Sequence, residues 1–418
     1  MKNIWWILLV LTNGLFAQTD DYTIDALVHP KLPEQIISVG GINADIQGFT
    51  NEAIQLAVDA LPTEGGTVLL NPGQFTISAP VRLRSNIKLT GSGPETILKR
   101  IDGYHSRFII DADYGELKLT IENPSGFKPG MSFQVTNDPC GECWDVTTGV
   151  ITDIIDNILY IDTYLIRDYD CEQNGMVTNA GSCISAIGIQ DAVISNLTID
   201  GNKDKNDLLD GCNGGGVVII KSKNVLVENV HVSNFNGEGI TWQITENITV
   251  QNCEISGCTN NGLHPGTGSP KSLIAGNNSH HNKVGLFICW RVHHSLVKDN
   301  QFHHNTDCGI STGHKDTDVI FDSNHIYENG GDGVFFRGED SKNSPHRNTF
   351  INNIVENNGI QDGKYGFSIY GNAVDVILKN NIIRDTKNGS QEAAIFLDKN
   401  TPPVKLENNT ISGHPIYN

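Results

Sequence analysis

The feature that most constrains the fold of this chain is a repeat that begins near residue 216. Each unit opens with a small residue followed by an apolar one, and the first five intervals between units are 23, 23, 23, 24 and 24 residues. The units contain short alternating apolar runs without helical periodicity, which is typical of the coils of a parallel β-helix. The sequence therefore predicts an all-β solenoid whose coils open at Gly216, Gly239, Gly262, Gly285, Gly309, Gly333, Gly366 and Ala394.

Asparagines form a second repeat with about the same period. Side-chain amides that stack at the spacing of neighbouring strands can bond to one another along the stack. We therefore expect a structural ladder of buried asparagines along the axis. Its predicted members are Asn229, Asn252, Asn277, Asn300, Asn324, Asn353, Asn381 and Asn409.

The N-terminal segment has the features of an export signal. Lys2 carries a positive charge, residues 4–10 form an apolar run, and small residues precede a cleavage point near Ala17. The apolar run is too short to span a bilayer, which needs about 20 apolar residues. We expect residues 1–17 to be a cleaved signal peptide and the mature protein, residues 18–418, to be secreted or periplasmic with no membrane span.

Residues 36–100 are predicted to form an N-terminal cap and the first coils. Thr50 can cap a short helix, since the residues after it place an apolar face at Ala53, Ile54, Ala57, Val58 and Leu61. A cap would protect the first edge of the stacked sheets from pairing with another chain. The run from Gly40 to Gly93, which includes TNEAIQLAVDALPTEGGTVLLNPGQFTI, resembles the opening of the pectate-lyase-like superfamily.

The resemblance covers the cap and, through the coil pattern, most of residues 36–100 and 180–418. It implies a right-handed parallel β-helix of the kind found in secreted bacterial polysaccharide lyases. It does not fix the reaction, because the superfamily also contains hydrolases, epimerases and phage tailspikes.

Residues 117–175 interrupt the coil pattern. Their alternating runs, separated by turns, predict a small β insertion beside the groove. Its aromatic residues Trp144, Tyr160 and Tyr169 can shape a groove wall or pack internally. With the main coils at residues 180–418, the chain from residue 18 onward is expected to be one domain.

The net charge of −19 at pH 7 argues against nucleic acid as a partner, because phosphate binding needs clustered lysines and arginines. Against this background, one face of the middle coils is predicted to be rich in cations. Side chains alternate between the core and solvent along a strand, so the outward positions can be counted from the coil-opening residues. The first outward column reads Val218, Thr241, His264, Phe287, Ser311, Phe335, Ser368 and Phe396.

The second outward column reads Ile220, Gln243, Gly266, Cys289, Gly313, Arg337, Tyr370 and Asp398. Neighbouring coils are about 4.8 Å apart, so residues from four coils fall within about 15 Å. Such a cluster can attract an anionic polysaccharide or oligosaccharide of algal or plant origin, and a tryptophan offers a flat surface for a sugar ring. The predicted cluster is Gln243, His264, Trp290, Arg291, His314, Lys315, Arg337 and Tyr370. The alternative is a solvated face in which acids such as Asp316, Glu339 and Asp340 balance the bases.

These residue types suit β-elimination from a uronate. The reaction needs a donor or cation at the C6 carboxylate, a base for the C5 proton and an acid for the group that leaves C4. We expect His264 or His314 to be the base and Tyr370 the proton donor. The carboxylate binders would be Gln243, Arg291, Lys315 and Arg337, with Trp290 against the sugar. The leaving group can be a sugar, as in a lyase, or water, as in a dehydratase.

Three alternatives remain open. A glycoside hydrolase needs two carboxyl groups about 5 to 10 Å apart, whereas Glu238 and Asp332 are four coils apart, with Asp307 between them. A C5-epimerase would remove the same proton as a lyase. A glycan-binding solenoid without catalysis is the third.

No cofactor is required by this chemistry, although calcium is possible. The segment from Asp200 to Asp207 alternates oxygen donors, but it lacks the central glycine and closing glutamate of a calcium loop. We expect it to form a turn.

Overall fold

The computed structural model describes residues 30–138, 144–361, 364–387, 390–413 and 416–417. The predicted signal peptide lies outside these residues. The described chain is a parallel β-helix, as the repeat indicates. A typical coil contains the strands Asn261–Gly266, Leu273–Ala275 and Asn278–His280, and each pairs in parallel with the corresponding strand of the next coil.

The first strand of each coil belongs to an 11-stranded parallel sheet, which forms the face on which the cationic cluster was predicted. The described strands of this sheet are Val81–Leu83, Ile184–Ile187, Gly215–Ile220, Glu238–Gln243, Asn261–Gly266, Val284–Phe287, Ile310–Thr312, Val334–Phe336, Tyr365–Ile369, Ala393–Leu397 and Ile416–Tyr417.

The remaining strands of the coils form a 22-stranded sheet that covers the other faces. In the described residues these strands are Ile36–Gly40, Ile46–Gln47, Gly66–Leu70, Gly73–Ile77, Ile87–Thr90, Thr96–Arg100, Gln190–Asp200, Lys223–Ser233, Glu246–Gln251, Glu254–Ser256, Leu273–Ala275, Asn278–His280, Leu296–Lys298, Gln301–His303, Ile320–Asp322, His325–Tyr327, Thr349–Ile351, Ile354–Glu356, Ile377–Lys379, Ile382–Arg384, Lys405–Glu407 and Thr410–Ser412.

The core is a continuous stack of inward apolar side chains from Val39 to Ile395. Corresponding positions of successive coils lie directly over one another, as with Phe321 and Phe350, whose rings stack 4.1 Å apart. Burial of these side chains is the main source of stability, because each removes a large apolar surface from water. The N-terminal end is closed by the helix Asn51–Ala60, whose first turn is capped by Thr50 Oγ1 accepting from the Ala53 amide, as predicted.

The asparagine ladder is present from Asn277 onward. Asn324 shows the pattern: its Oδ1 accepts from the backbone and side-chain amides of Asn300, and its Nδ2 donates to Asn353 Oδ1. The buried members are Asn277, Asn300, Asn324, Asn353 and Asn381, and the ladder ends at the half-buried Asn409. A second ladder, which the sequence reading missed, contains Asn282, Asn305, Asn329, Asn358 and Gln391.

Two predicted ladder members are wrong. Asn229, within the strand Lys223–Ser233, and Asn252, in a bend, are exposed and have a φ of 53° each, so this left-handed backbone keeps their side chains outside the coil. The residue that continues the ladder toward the N-terminus is Cys253, whose backbone amide donates to Asn277 Oδ1.

The predicted insertion is a six-stranded antiparallel sheet with its own apolar core. It begins with the strand His105–Arg107, upstream of residue 117. Its other strands are Lys118–Thr120, Ser132–Thr136, Thr147–Ile155, Ile158–Ile161 and Met176–Thr178, with a 3-10 turn at Cys171–Gln173 before the last of them; a second 3-10 turn, Lys203–Lys205, follows the coil strand Gln190–Asp200. Tyr169 is fully buried and its hydroxyl bonds to Thr147, so this aromatic residue packs internally. No helix in the described ranges is long and apolar enough to cross a membrane.

Candidate functional site

The strand register produces the two outward columns that the sequence predicts on the 11-stranded sheet. Thr241 pairs with His264, and two residues further along Gln243 pairs with Gly266. Gly266 in turn bridges to Cys289 in the next coil. In the middle coils each outward column is therefore continuous, because a fixed register repeats each position from coil to coil.

A cavity of about 470 Å³ lies over these coils. One of its walls is Trp144, a residue of the insertion, so this aromatic residue shapes the groove. The other residues around it are Cys212, Gln243, His264, Thr267, Phe287, Cys289, Trp290 and His314. Four predicted site residues, namely Gln243, His264, Trp290 and His314, are thus brought together.

His264 lies beside a buried carboxylate. Its Nδ1 lies 3.5 Å from Glu238 Oε1, and both side chains are at most 4% exposed. Asn261 Nδ2 also donates to Glu238 Oε1, which fixes the carboxylate. The Nδ1–Oε1 contact is an ion-pair distance without a hydrogen bond, and a carboxylate beside a histidine is the pairing that stabilises a general base when it takes up a proton.

Gln243 lies beside this pair with space in front of it. Its Nε2 donates to Thr241 Oγ1, whereas its Oε1 is buried and makes no hydrogen bond to any described residue. The opposite position in the next coil is Gly266, where a Cβ atom would come within 2.3 Å of Gln243 Oε1. The glycine therefore leaves room for the Gln243 amide at the edge of the cavity.

His314 has two close partners, Cys289 and Glu339, and the second is one of the acids that the sequence offered as a balance for the bases. Its Nδ1 lies 3.1 Å from Cys289 Sγ, and its Nε2 lies 2.8 Å from Glu339 Oε1. The ring also packs against Trp290, with 5.0 Å between centroids. Trp290 is 52% exposed, so its outer face is available to a ligand.

Arg337 lies behind the cavity and contacts the protein with most of its guanidinium. Nη1 donates to Ser311 Oγ, Nη2 donates to the carbonyl of Ile288, and Nη2 is 3.4 Å from Asp316 Oδ2. The same group lies over the Phe287 ring at 4.5 Å. Burial raises the pKa of Asp316 to about 7, and the arginine opposes this rise. Arg337 therefore contributes positive charge to the floor of the cavity, and its side chain does not extend into solvent.

Arg291 and Lys315 are exposed at the rim, and neither side chain forms an ion pair with a described residue. Both follow a residue that also has a positive φ: Trp290 and Arg291 have φ of 63° and 66°, and His314 and Lys315 have 47° and 68°. Consecutive left-handed residues are costly for side chains with a Cβ. These turns place both predicted carboxylate binders directly after residues that line the cavity, Trp290 and His314.

Tyr370 lies in the coil after Arg337 but apart from His264. It is four coils from His264, about 19 Å at the usual strand spacing. Its ring packs between Phe335 and Phe396, and its pKa is raised by burial and by the nearby Asp332, Asp398 and Glu392. The predicted role of Tyr370 as proton donor therefore requires a sugar held near His314, the other predicted base, which is two coils away, about 10 Å.

A second group of acids lies near Tyr370. Asp332 is buried, and its carboxylate accepts from Ser368 Oγ at 2.5 Å and from the Tyr365 amide at 2.9 Å. Burial raises the pKa of Asp332, and the negative charge of Asp307 in the preceding coil raises it further. Asp307 is exposed.

Among the residues that the structure describes, no group of three or more His, Cys, Asp or Glu side chains is placed to hold a metal ion. In the Asp200–Asp207 segment, Asp200 pairs with Lys99 and Asn202 adopts a left-handed turn. This is the geometry of an Asx-type turn.

Comparison with known families agrees with the fold. A model described as rhamnogalacturonase A/epimerase, pectate lyase-like, matches residues 37–287, and a model of the right-handed β-helix region matches residues 215–373. The chain belongs to the rhamnogalacturonase A/epimerase, pectate lyase-like family. No curated protein matches its sequence.

Several solved structures resemble this family member. The A-module of mannuronan C-5 epimerase AlgE4 from Azotobacter vinelandii is 16% identical, with a TM-score of 0.57 over 88% of this chain and 92% of that one. Polygalacturonase from Erwinia carotovora is 15% identical, with a TM-score of 0.58 over 94% and 96% of the two chains. At these identities the likeness concerns the fold, and the right-handed parallel β-helix is confirmed.

Proposed function

We propose that this family member is an enzyme that acts on a uronate-containing polysaccharide or oligosaccharide by removing the C5 proton and expelling the group at C4. The observation that carries the proposal is the buried Glu238–His264 pair at the cavity, with its Nδ1–Oε1 distance of 3.5 Å. The matching family and the epimerase and polygalacturonase folds support a carbohydrate-acting enzyme. Export through the predicted signal peptide suits an extracellular polysaccharide.

In this proposal His264 accepts the C5 proton, and Glu238 stabilises the imidazolium that forms. Removal of that proton requires the C6 carboxylate to be neutralised, since negative charge develops next to it. Gln243, beside His264, and the rim residues Arg291 and Lys315 are the groups that would bind this carboxylate. The exposed face of Trp290 supports the sugar ring. The imidazolium of His264 is then the nearest proton donor to the departing C4 oxygen.

Cations supply the neutralising charge, so the proposal needs no metal ion. The leaving group is a sugar in a lyase or water in a dehydratase. A C5-epimerase shares the first step, but it returns a proton to C5 from the opposite face of the ring. Analysis of the reaction products therefore distinguishes a lyase, a dehydratase and an epimerase, whereas the identity of the base does not.

The test uses a panel of uronate-containing glycans in D₂O. New ultraviolet absorbance of an unsaturated uronyl product, lost in His264→Gln, is the expected result. A product lighter by one water identifies a dehydratase. Deuterium at C5 of a saturated product would contradict β-elimination and identify the reaction as epimerisation. His231→Gln, on a different face of the β-helix, is the matched control and should retain activity.

A glycoside hydrolase is the second candidate, because one observation favours it. Asp307 and Asp332 lie in neighbouring coils, and the negative charge of Asp307 acts on the Asp332 carboxyl group, so the two acids are candidates for the pair that a glycosidase needs. One is exposed and the other has a raised pKa, which is how an acid and a base differ in a glycosidase pair. Saturated products with new reducing ends, lost in Asp332→Asn and retained in His264→Gln, would establish this reaction instead.

A further inference from the structure

Cys289, His314 and Glu339 form a chain of contacts in which each residue comes from a different coil. Cys289 follows the strand Val284–Phe287, His314 follows Ile310–Thr312, and Glu339 lies in the long turn after Val334–Phe336. The Cys289 Sγ–His314 Nδ1 distance is 3.1 Å and the His314 Nε2–Glu339 Oε1 distance is 2.8 Å. A nucleophile in contact with a base that is oriented by a third group is the arrangement used for covalent catalysis.

Two other cysteines, Cys253 and Cys258, have the surroundings of structural thiols and differ in this from Cys289. Cys253 and Cys258 are buried in the coils, and their sulfurs contact backbone carbonyl oxygens. Burial raises the pKa of each of these thiols to about 12. Cys289 instead contacts an imidazole and lines the cavity of about 470 Å³.

Positive charge is also supplied next to Cys289. Arg337 passes over Gly313, where a Cβ would come within 2.6 Å of its Nε, and donates to the carbonyl of Ile288. Its Nε is buried and makes no hydrogen bond to a described residue. A cation beside a cysteine favours the thiolate over the thiol. It can also stabilise an oxyanion formed on a bound carbonyl group.

We propose that Cys289 is a nucleophile that cleaves ester groups carried by the polysaccharide, with His314 as its base and Glu339 as the residue that orients the base. The electrophile is an ester carbonyl, either the methyl ester of a uronate C6 carboxyl or an acetyl group on a sugar hydroxyl. The apolar rings of Trp144, Phe287 and Trp290 around the cavity suit such small uncharged groups. The polysaccharide substrate rests on the proposed function, whereas the thiol chemistry does not.

The reaction balances with water as the co-substrate. The Cys289 thiol gives its proton to His314 Nδ1, and the thiolate attacks the ester carbon. Collapse of the tetrahedral intermediate breaks the carbon–oxygen bond, and the departing alkoxide takes the proton from His314. Water then gives a proton to His314 and attacks the thioester. The carbon–sulfur bond breaks, the acid is released, and the thiolate regains a proton from His314.

The first test measures alkylation of Cys289 by iodoacetamide, followed by peptide mass spectrometry on the intact folded protein. At pH 6 we expect Cys289 to react at least ten-fold faster than in His314→Gln, with Glu339→Gln in between, while Cys253 and Cys258 serve as unreactive internal controls. Equal rates in the protein and in His314→Gln would overturn the proposal. Unchanged far-ultraviolet circular dichroism establishes that each variant is folded.

The second test measures hydrolysis of p-nitrophenyl acetate, and of methyl-esterified and acetylated polyuronates, by release of methanol or acetate. Cys289→Ser and Cys289→Ala should lose at least 100-fold in rate, and quenching should trap an acyl group on Cys289. Hydrolysis that survives in both variants overturns the proposal. p-Nitrophenyl acetate has no C5 proton, so its hydrolysis tests the Cys289 nucleophile independently of β-elimination. If this ester is hydrolysed but polyuronates give no unsaturated product, the nucleophile is supported and only the proposed β-elimination is rejected.

Discussion

Arg337 reaches back across two coils to place its Nη2 2.6 Å from the carbonyl oxygen of Ile288. The same nitrogen is 3.4 Å from Oδ2 of the fully buried Asp316. The arginine thus compensates a carboxyl group whose pKa burial raises to about 7. This pair joins the floor of the cavity to the turn that carries His314, so its charge state affects both stability and the site.

The Arg337→Met variant should lose more stability in alkaline than in acidic solution. A raised pKa means that the folded state binds the Asp316 proton more tightly than the unfolded state does. The stabilisation from this group is complete below about pH 4 and is lost as the pH rises through about 7. Without its cation, the ionised carboxylate should cost about 3 kcal/mol at pH 8. Urea unfolding at pH 5 and pH 8 measures the difference, and equal losses at the two pH values would contradict the prediction.

A row of histidines on another face of the β-helix should make stability fall in acid. His303 stacks between His280 and Tyr327, and its pKa is lowered to about 4 by burial and by neighbouring histidines. His280, His304 and His325 each contact a glutamate, whereas His303 Nε2 contacts Asn278 Oδ1. His303 therefore resists protonation, and the pKa of His281 in the same row is lowered in the same direction.

A lowered pKa contributes stability that is present above about pH 6.5 and is lost as the pH falls toward 4. We expect the Tm to fall by several degrees between pH 7 and pH 5, and His303→Asn to reduce this slope. His231→Asn is the control and should leave the slope unchanged. A slope that is the same in His303→Asn would assign the acid sensitivity to other groups.

Removing one asparagine from the ladder should destabilise the whole stack. In Asn324→Ala, the backbone and side-chain amides of Asn300 lose their shared acceptor, and the Val297 carbonyl loses a donor. Buried groups left without partners cost about 1 to 3 kcal/mol each, so a loss of about 3 kcal/mol is expected by urea unfolding. Asn400→Ala, at an exposed position, should change stability by less than about 0.5 kcal/mol.

The Glu238→Gln variant tests the orientation of His264. Without a carboxylate to stabilise the imidazolium, kcat for the proposed β-elimination should fall about 100-fold, while KM changes little because the substrate contacts remain. Steady-state kinetics measure both constants. Glu254→Gln, whose carboxylate contacts His280 on another face, is the matched control. A change confined to KM would place Glu238 in substrate binding.

The sequence predicted the fold and the two outward columns because both follow from simple periods. A coil of about 23 residues sets which positions stack, and alternation along a strand sets which of them face outward. This is why Thr241, His264 and Gln243 are where they were expected. Asn229 and Asn252 were misplaced because an asparagine also suits the left-handed backbone conformation. The ladder position lies one residue further along the chain, as Cys253 does after Asn252, and the length of the repeat does not distinguish two adjacent positions.

The sequence named Asp316 and Glu339 as acids that could balance the bases, but it did not predict that they contact Arg337 and His314, respectively. Glu339 lies in a turn of irregular length, so no period gives its position relative to His314. Glu238 was considered as a hydrolase acid, whereas the structure places it behind His264. Tyr370 was grouped with His264 because both belong to the outward columns. Membership of a column does not limit the number of coils between two residues, and these two are four coils apart.

The asparagine ladders also determine where this chain can change length. Their members follow at 23 or 24 residues from Asn277 to Asn324, and then at 29 residues to Asn353. The ladder bonds are nevertheless the same on both sides of the longer interval. The additional residues are accommodated in the turn that contains Glu339, outside the strands. A lineage of such proteins can therefore acquire new acid–base groups by lengthening turns, while every coil retains its inherited pairing.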